Sequence, residues 1–126
     1  AGKFQIEEPQ KVQTLDEVLT IIPRKVFEKL KFDEENCDNW DLYAVDYCLS
    51  VKELGLNSYV IPCKLHHRSN ATTRDENYYL TLEKLLEKHK SSNRIIYTTM
   101  GNWITTITLK YQRKDLWRFL DTILEN

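Results

Sequence analysis

The sequence predicts an α/β domain, and three observations carry that prediction. Runs rich in β-branched and aromatic residues share the chain with segments whose apolar residues recur at helical spacing. Apolar residues make up 41% of the chain and charged residues 29%, a composition too apolar for disorder and sufficient for a packed core. A length of 126 residues supports one domain of ordinary size.

The N-terminal residues read as a flexible arm over 1–11, with Pro9 near its end. From Val12 to Ile22 the run closes on β-branched and apolar residues and reads as a buried strand. Pro23 stops it and suits the first position of a helix, where a missing N–H costs nothing. Val26, Phe27 and Leu30 give that short helix its apolar face. The polar, acidic stretch 31–39 is a loop, and Asp38 or Asn39 can cap the helix expected from about Asp41 to Leu54. Gly55 lies just beyond, where a positive φ is favoured. Leu42, Val45 and Leu49 form one stripe of this helix and Tyr43, Tyr47 and Leu54 another, so it reads as buried. Helical spacing sets the Asp46 carboxylate beside the first stripe.

Ser58 to Ile61 reads as a strand stopped by Pro62, and Leu65-His66-His67 as its continuation or as an edge segment. After a loop from Arg68 to Thr73, a helix runs from about Arg74 to His89, with Tyr78, Leu82, Leu85, Leu86 and His89 on one face. The stretch from Arg94 to Leu109 is rich in strand formers and interrupted at Gly101-Asn102. A last helix is expected from Asp115 to about Glu125, burying Leu116, Leu120, Ile123 and Leu124.

Charge and composition exclude several functions. The chain carries 18 Lys and Arg against 19 Asp and Glu, a net charge of −1, with no dominant basic run to coat nucleic acid or an anionic membrane. No stretch reaches the roughly 20 apolar residues that cross a bilayer, and residues 1–3 open no signal-peptide core. Three glycines cannot build a Gly-rich phosphate loop. Cys37, Cys48 and Cys63 are an odd number in a chain that needs no staples, so reduced thiols and a cytoplasmic setting are expected, with peripheral membrane association left open. Cys63 and His66 have C-x-x-H spacing, and His67 and Cys37 complete a conceivable zinc set. Asn70-Ala71-Thr72 is an N-glycosylation triplet that matters only in a secretory chain. The absence of an initial Met raises the expectation of a piece of a longer protein.

One set of passages goes further. Val12-Gln13-Thr14-Leu15-Asp16-Glu17, Pro23-Arg24, Phe32-Asp33-Glu34, Trp40 through Leu49, Lys52-Glu53-Leu54-Gly55, Tyr59-Val60-Ile61-Pro62, His66-His67-Arg68-Ser69 and Thr98 through Trp103 stand in this order. Together they resemble the acceptor-side, C-terminal portion of GT-A-fold glycosyltransferases related to family 2. The resemblance implies a single partial domain over 1–126, namely the C-terminal half of a nucleotide-diphospho-sugar transferase fold with a mixed sheet and about four helices. Nothing in the chain resembles the Asp-x-Asp strand end that holds the donor's divalent cation, manganese or magnesium, in the family's other half.

The resemblance also implies roles. Where the family usually has Glu-Asp-x-Asp, the chain has Tyr43-Ala44-Val45-Asp46, so Asp46 is the first choice as general base toward the acceptor hydroxyl and Asp41 the second. A sugar hydroxyl is a poor nucleophile at neutral pH, which is why a carboxylate within hydrogen-bond reach is needed. His66 or His67 is similar to the family histidine that approaches the metal or the diphosphate, with His66 preferred, and Arg68 suits the charge developing on the diphosphate leaving group. Trp40 and Trp103 are acceptor-sugar platforms in this reading, since aromatic faces stack on pyranose rings. The complete protein would transfer a sugar from a nucleotide-sugar donor to a glycan or polysaccharide acceptor, and this portion alone would be inactive. A free-standing, non-catalytic α/β module that binds a protein or a glycan is the alternative. A truncated face would expose apolar surface and favour self-association.

Overall fold

The computed structural model describes residues 5–68 and 75–113. Their order is β1 (Gln10–Val12), α1 (Arg24–Lys29), α2 (Tyr43–Glu53), β2 (Ser58–Val60), α3 (Glu76–His89), β3 (Ile95–Thr98) and β4 (Gly101–Ile104), followed by one 3-10 turn at Leu109–Tyr111. The class is α/β, as the composition and periodicity predict. In place of one mixed sheet, the described residues form two separate two-stranded antiparallel ladders, β1 with β2 and β3 with β4. No helix among the described residues is long and apolar enough to cross a membrane.

The core forms where helical spacing and strand alternation aim apolar side chains at one another. Leu42, Val45 and Leu49 of the α2 stripe meet Tyr78, Leu82, Leu85 and Leu86 of α3, and Ile96, Trp103 and Leu109 close the cluster. Each fully buried Leu or Ile contributes about 1.5–3 kcal/mol relative to exposure. The Asp75 carboxylate accepts the Tyr78 N–H at 2.9 Å and so caps α3. Gly55 follows α2 with φ 78°, the left-handed position expected of it. Beside the core, Phe27, Phe32, Tyr43 and Tyr47 pack edge to face and tilted, and the Tyr47 hydroxyl donates to the Leu30 carbonyl at 2.9 Å. This aromatic group ties α1 to α2.

The β3–β4 hairpin is sealed along both outer edges by glutamine side chains. On the β3 side, the Gln13 amide donates to the Ile95 carbonyl at 3.0 Å and accepts the Tyr97 N–H at 2.8 Å. On the β4 side, the buried Gln112 amide accepts the Ile104 N–H at 2.6 Å and donates to the carbonyls of Ile104 at 2.7 Å and Ile107 at 2.6 Å. A primary amide carries one acceptor and two donors, so each glutamine reproduces what a strand residue would offer. The outward-facing backbone groups of Ile95, Tyr97 and Ile104 that meet these amides are thereby satisfied. At the tip, Gly101 has φ 146°, and a Cβ there would lie 3.3 Å from the Trp103 ring.

Several sequence expectations are corrected. The run Val12–Ile22 is a strand only at its start: β1 ends at Val12, and Gln13 onward runs beside β3 through side-chain bonds. Val18, Leu19 and Ile21 are exposed, so their β propensity finds no ladder to join. Gln10 and Lys11, read as the end of an arm, belong to β1. Leu65-His66-His67 forms no strand. The helix expected from Asp115, the Asn70 triplet and most of the 68–73 loop lie outside the described residues.

Candidate functional site

Asp46 sits in the first turn of α2 and is 3% exposed. Its Oδ1 accepts from His89 Nε2 at 2.7 Å, and its Oδ2 accepts from Lys88 Nζ at 3.0 Å. The same ammonium donates to Asp33 Oδ2 at 2.7 Å. The Asp33 carboxylate in turn accepts the backbone N–H of Asn36 at 3.0 Å and its side-chain amide at 2.8 Å. On the far side of the imidazole, Nδ1 is buried and lies 3.6 Å from a Glu53 carboxylate oxygen, outside hydrogen-bond distance. The adjacent pair Lys88-His89 thus stitches the end of α3 to α2 and to the loop before it.

Electrostatics follow from this geometry. Burial opposes the charge on Asp33, yet the hydrogen bonds from Asn36 and Lys88 outweigh it and hold the carboxyl well below the ordinary carboxylate range. Burial likewise opposes the Lys88 ammonium, and Asp33 and Asp46 overcome it and raise its pKa. Burial, reinforced by the charges of Asp46 and Asp33, pushes the neighbouring Cys37 thiol up to about 12. A thiol so placed keeps its proton at neutral pH and is neither nucleophile nor ready ligand.

Asp46 therefore has both carboxylate oxygens engaged and almost no surface toward which an acceptor hydroxyl could approach. Neither the periodicity nor the motif order pointed to Asp33, Lys88, His89 and Glu53 as its surroundings. The usable signal was Asp46 on an apolar helix facing His89 on the apolar stripe of another, because buried charges are paired.

The second expected carboxylate, Asp41, lies in the loop that leads into α2. Asn39 anchors that loop: its Nδ2 donates to Thr81 Oγ1 of α3 at 2.9 Å, and its Oδ1 accepts the Asp41 N–H at 2.8 Å. Leu42 then takes a left-handed conformation, φ 66° and ψ 0°, with its side chain in the core. That backbone costs a Leu roughly 1–2 kcal/mol, which burial of the side chain offsets. Between these two fixed points stands Trp40, 89% exposed. Asp41 is half-buried, and burial together with the Asp75 charge raises its carboxyl. Its carboxylate accepts no hydrogen bond among the described residues.

A further carboxyl, unforeseen in the sequence, adjoins the same end of α2. Burial raises Glu17 from its ordinary 4.5 to about 7, the N–H groups of Glu17 and Ala44 pull it down, and Asp16 raises it further. Its Oε1 is buried without a hydrogen-bond partner among the described residues.

The remaining expected site residues fall elsewhere. Trp103 is 3% exposed within the core cluster, so it offers no platform to a sugar. His66, His67 and Arg68 are exposed on the segment after β2. Cys63 is exposed and Cys37 buried, and no three His, Cys, Asp or Glu side chains among the described residues are grouped to hold a metal ion. Cys63, His66, His67 and Cys37 therefore do not come together as a zinc set.

Within the described residues, then, Trp40 and Asp41 are brought together on an anchored loop, while Asp46 is withdrawn into the protein. No protein-family model matches the chain, and neither does any curated protein or solved structure.

Proposed function

We propose that this chain is a carbohydrate-binding α/β unit that carries out no group transfer by itself, with Trp40 as the sugar platform and Asp41 as a hydroxyl acceptor. The observation that carries the reading is the exposure of Trp40 on a loop fixed at both ends, by Asn39 against α3 and by Leu42 in the core. Holding a large apolar ring in water is unfavourable, and a loop pinned behind it lowers the ordering cost of binding. An aromatic face with an adjacent unpaired carboxylate matches a pyranose, which has apolar C–H faces and hydroxyl donors at its rim. Titration of the chain against a panel of oligosaccharides, followed by tryptophan fluorescence and calorimetry, tests it. Trp40→Ala should abolish binding while leaving the melting temperature unchanged; binding that survives in this variant, or no binding to any glycan, removes the reading.

A second reading keeps the glycosyltransferase resemblance, with the chain as the acceptor-side portion of a nucleotide-sugar transferase. The Asp41 carboxylate favours it, since it is half-buried and engaged by no hydrogen bond or ion pair among the described residues, as a base that must meet an acceptor hydroxyl requires. In that reading Asp41 is the base, Asp46 is structural, and the donor and its manganese or magnesium belong to the family's other half. Tight, metal-dependent binding of uridine diphosphate to this chain alone would refute the half-domain picture. The free thiols of Cys37, Cys48 and Cys63 support a reducing compartment such as the cytoplasm. The exposed run Tyr59, Val60, Ile61 and Leu65 is the surface that self-association would use.

A further inference from the structure

We infer that the cavity of about 330 Å³ between β1, the C-terminal turn of α2 and the start of β2 binds a phosphate dianion, free or as the monoester of a small organic molecule. Lys11 of β1 and Lys52 of α2 both line it, with Asn57 and Ser58 at the turn into β2. Neither lysine has an ion-pair partner among the described residues. No carboxylate lines the cavity. The acidic residue nearest in sequence to Lys52, Glu53, has its carboxylate turned elsewhere, 3.6 Å from His89 Nδ1 and 3.4 Å from the Ser92 hydroxyl. The cavity is thus bordered by two positively charged side chains and by no negative one, so an anion seated there finds two cations within reach of their flexible stems and no competing carboxylate.

The end of α2 contributes the opposing effect, because a helix C-terminus carries about half a negative charge. Two full positive charges outweigh it. The hydroxyl of Ser58 and the amide of Asn57 add neutral donors that a tetrahedral oxyanion can use alongside the two amines. Val12 and Leu56 supply apolar wall, which a bare ion does not need and an organic monoester does. The volume lies at the lower limit for small-molecule sites and suits a ligand of one ring or less. Trp40 precedes α2 and this cavity adjoins its other end, so either site stands or falls without the other.

Titration of the isotopically labelled chain with phenyl phosphate, inorganic phosphate and phenol, followed by amide chemical shifts, tests the inference. Phenyl phosphate should give saturable shifts at the amides of Lys11, Val12, Lys52, Asn57 and Ser58, and phenol should give none. The K11A/K52A double variant should lose at least about tenfold in affinity, since two charge-assisted hydrogen bonds are removed. Equal affinity for inorganic phosphate assigns the site to the free ion, and tighter phenyl phosphate to a monoester; either result supports the inference. No saturable shift at these amides up to about 10 mM, or an unchanged affinity in the double variant, overturns it. Both lysines are exposed, and the charge-conserving K11R/K52R variant, which should retain binding, separates loss of charge from loss of fold.

Discussion

Replacing Asp46 with Asn distinguishes a structural carboxylate from a catalytic one. The change keeps size and shape, so its effect reports on charge and hydrogen bonding. In the native protein one oxygen of Asp46 serves His89 at 2.7 Å and the other serves Lys88 at 3.0 Å. An asparagine oxygen can serve one of them, and its NH2 group then faces another donor. Lys88 keeps Asp33, but His89 is 1% exposed and has no water to replace what it loses. Breaking a buried charge pair by removing one partner costs about 3–5 kcal/mol. For a chain of this size that corresponds to a fall in melting temperature of about 10–20 °C. Circular dichroism melts and urea titrations measure it directly. A further variant carrying Asp46→Leu, Lys88→Met and His89→Leu should recover part of the loss, because an apolar set of similar volume removes the buried charges, while Asp33 loses the Lys88 ammonium and keeps only its hydrogen bonds from Asn36. A melting temperature for Asp46→Asn within about 2 °C of the parent would show that the carboxylate is not held as described and would reopen its role as a base.

Three other outcomes follow from the geometry. Glu17 has a folded pKa raised from 4.5 to about 7, so the native state holds more protons than the unfolded chain across that interval, and stability falls as pH rises through it. Glu17→Gln should flatten this slope and stabilise the protein at pH 8 by roughly 1–2 kcal/mol, after discounting for partial exposure; an unchanged slope in urea titrations at several pH values rejects the assignment. Gln112→Ala strands one backbone N–H and two carbonyls and should cost about 2–4 kcal/mol, with faster amide exchange at Ile104; loss below about 0.5 kcal/mol contradicts the edge-sealing role. Gly101→Ala places a Cβ 3.3 Å from the Trp103 ring at a φ of 146° and should cost about 1–3 kcal/mol, read from thermal melts, whereas a stabilised variant would mean that the turn is built otherwise.

What the sequence revealed was what local rules govern. α2 and α3 were legible from the spacing of Leu42, Val45 and Leu49 and of Tyr78, Leu82, Leu85 and Leu86, since one amphipathic face suffices to identify a helix. Gly55 was legible because a left-handed position favours glycine. The run ending in Ile21 and Ile22 misled, because a strand needs a partner, and β propensity says nothing about whether one exists. Trp103 misled for a related reason: the same indole suits a sugar platform or a core, and only the packing of the hairpin on α2 and α3 decides. Asp46 was singled out correctly as unusual on its helix. What it does depends on residues 42 and 43 positions later in the chain, a distance over which periodicity carries no information.

The two glutamine seals on the hairpin have unequal histories during folding. Gln112 reaches Ile104 across 8 residues, while Gln13 reaches Ile95 and Tyr97 across 82 and 84. Closing the longer loop costs roughly 2 kcal/mol more in chain entropy. The β4 border is therefore completed early and locally, whereas β3 keeps an open border until the distant N-terminal segment arrives. In that interval a second chain could occupy the place of Gln13, so the kinetic hazard of this fold lies along β3 at Ile95 and Tyr97, a hazard that the finished protein no longer displays.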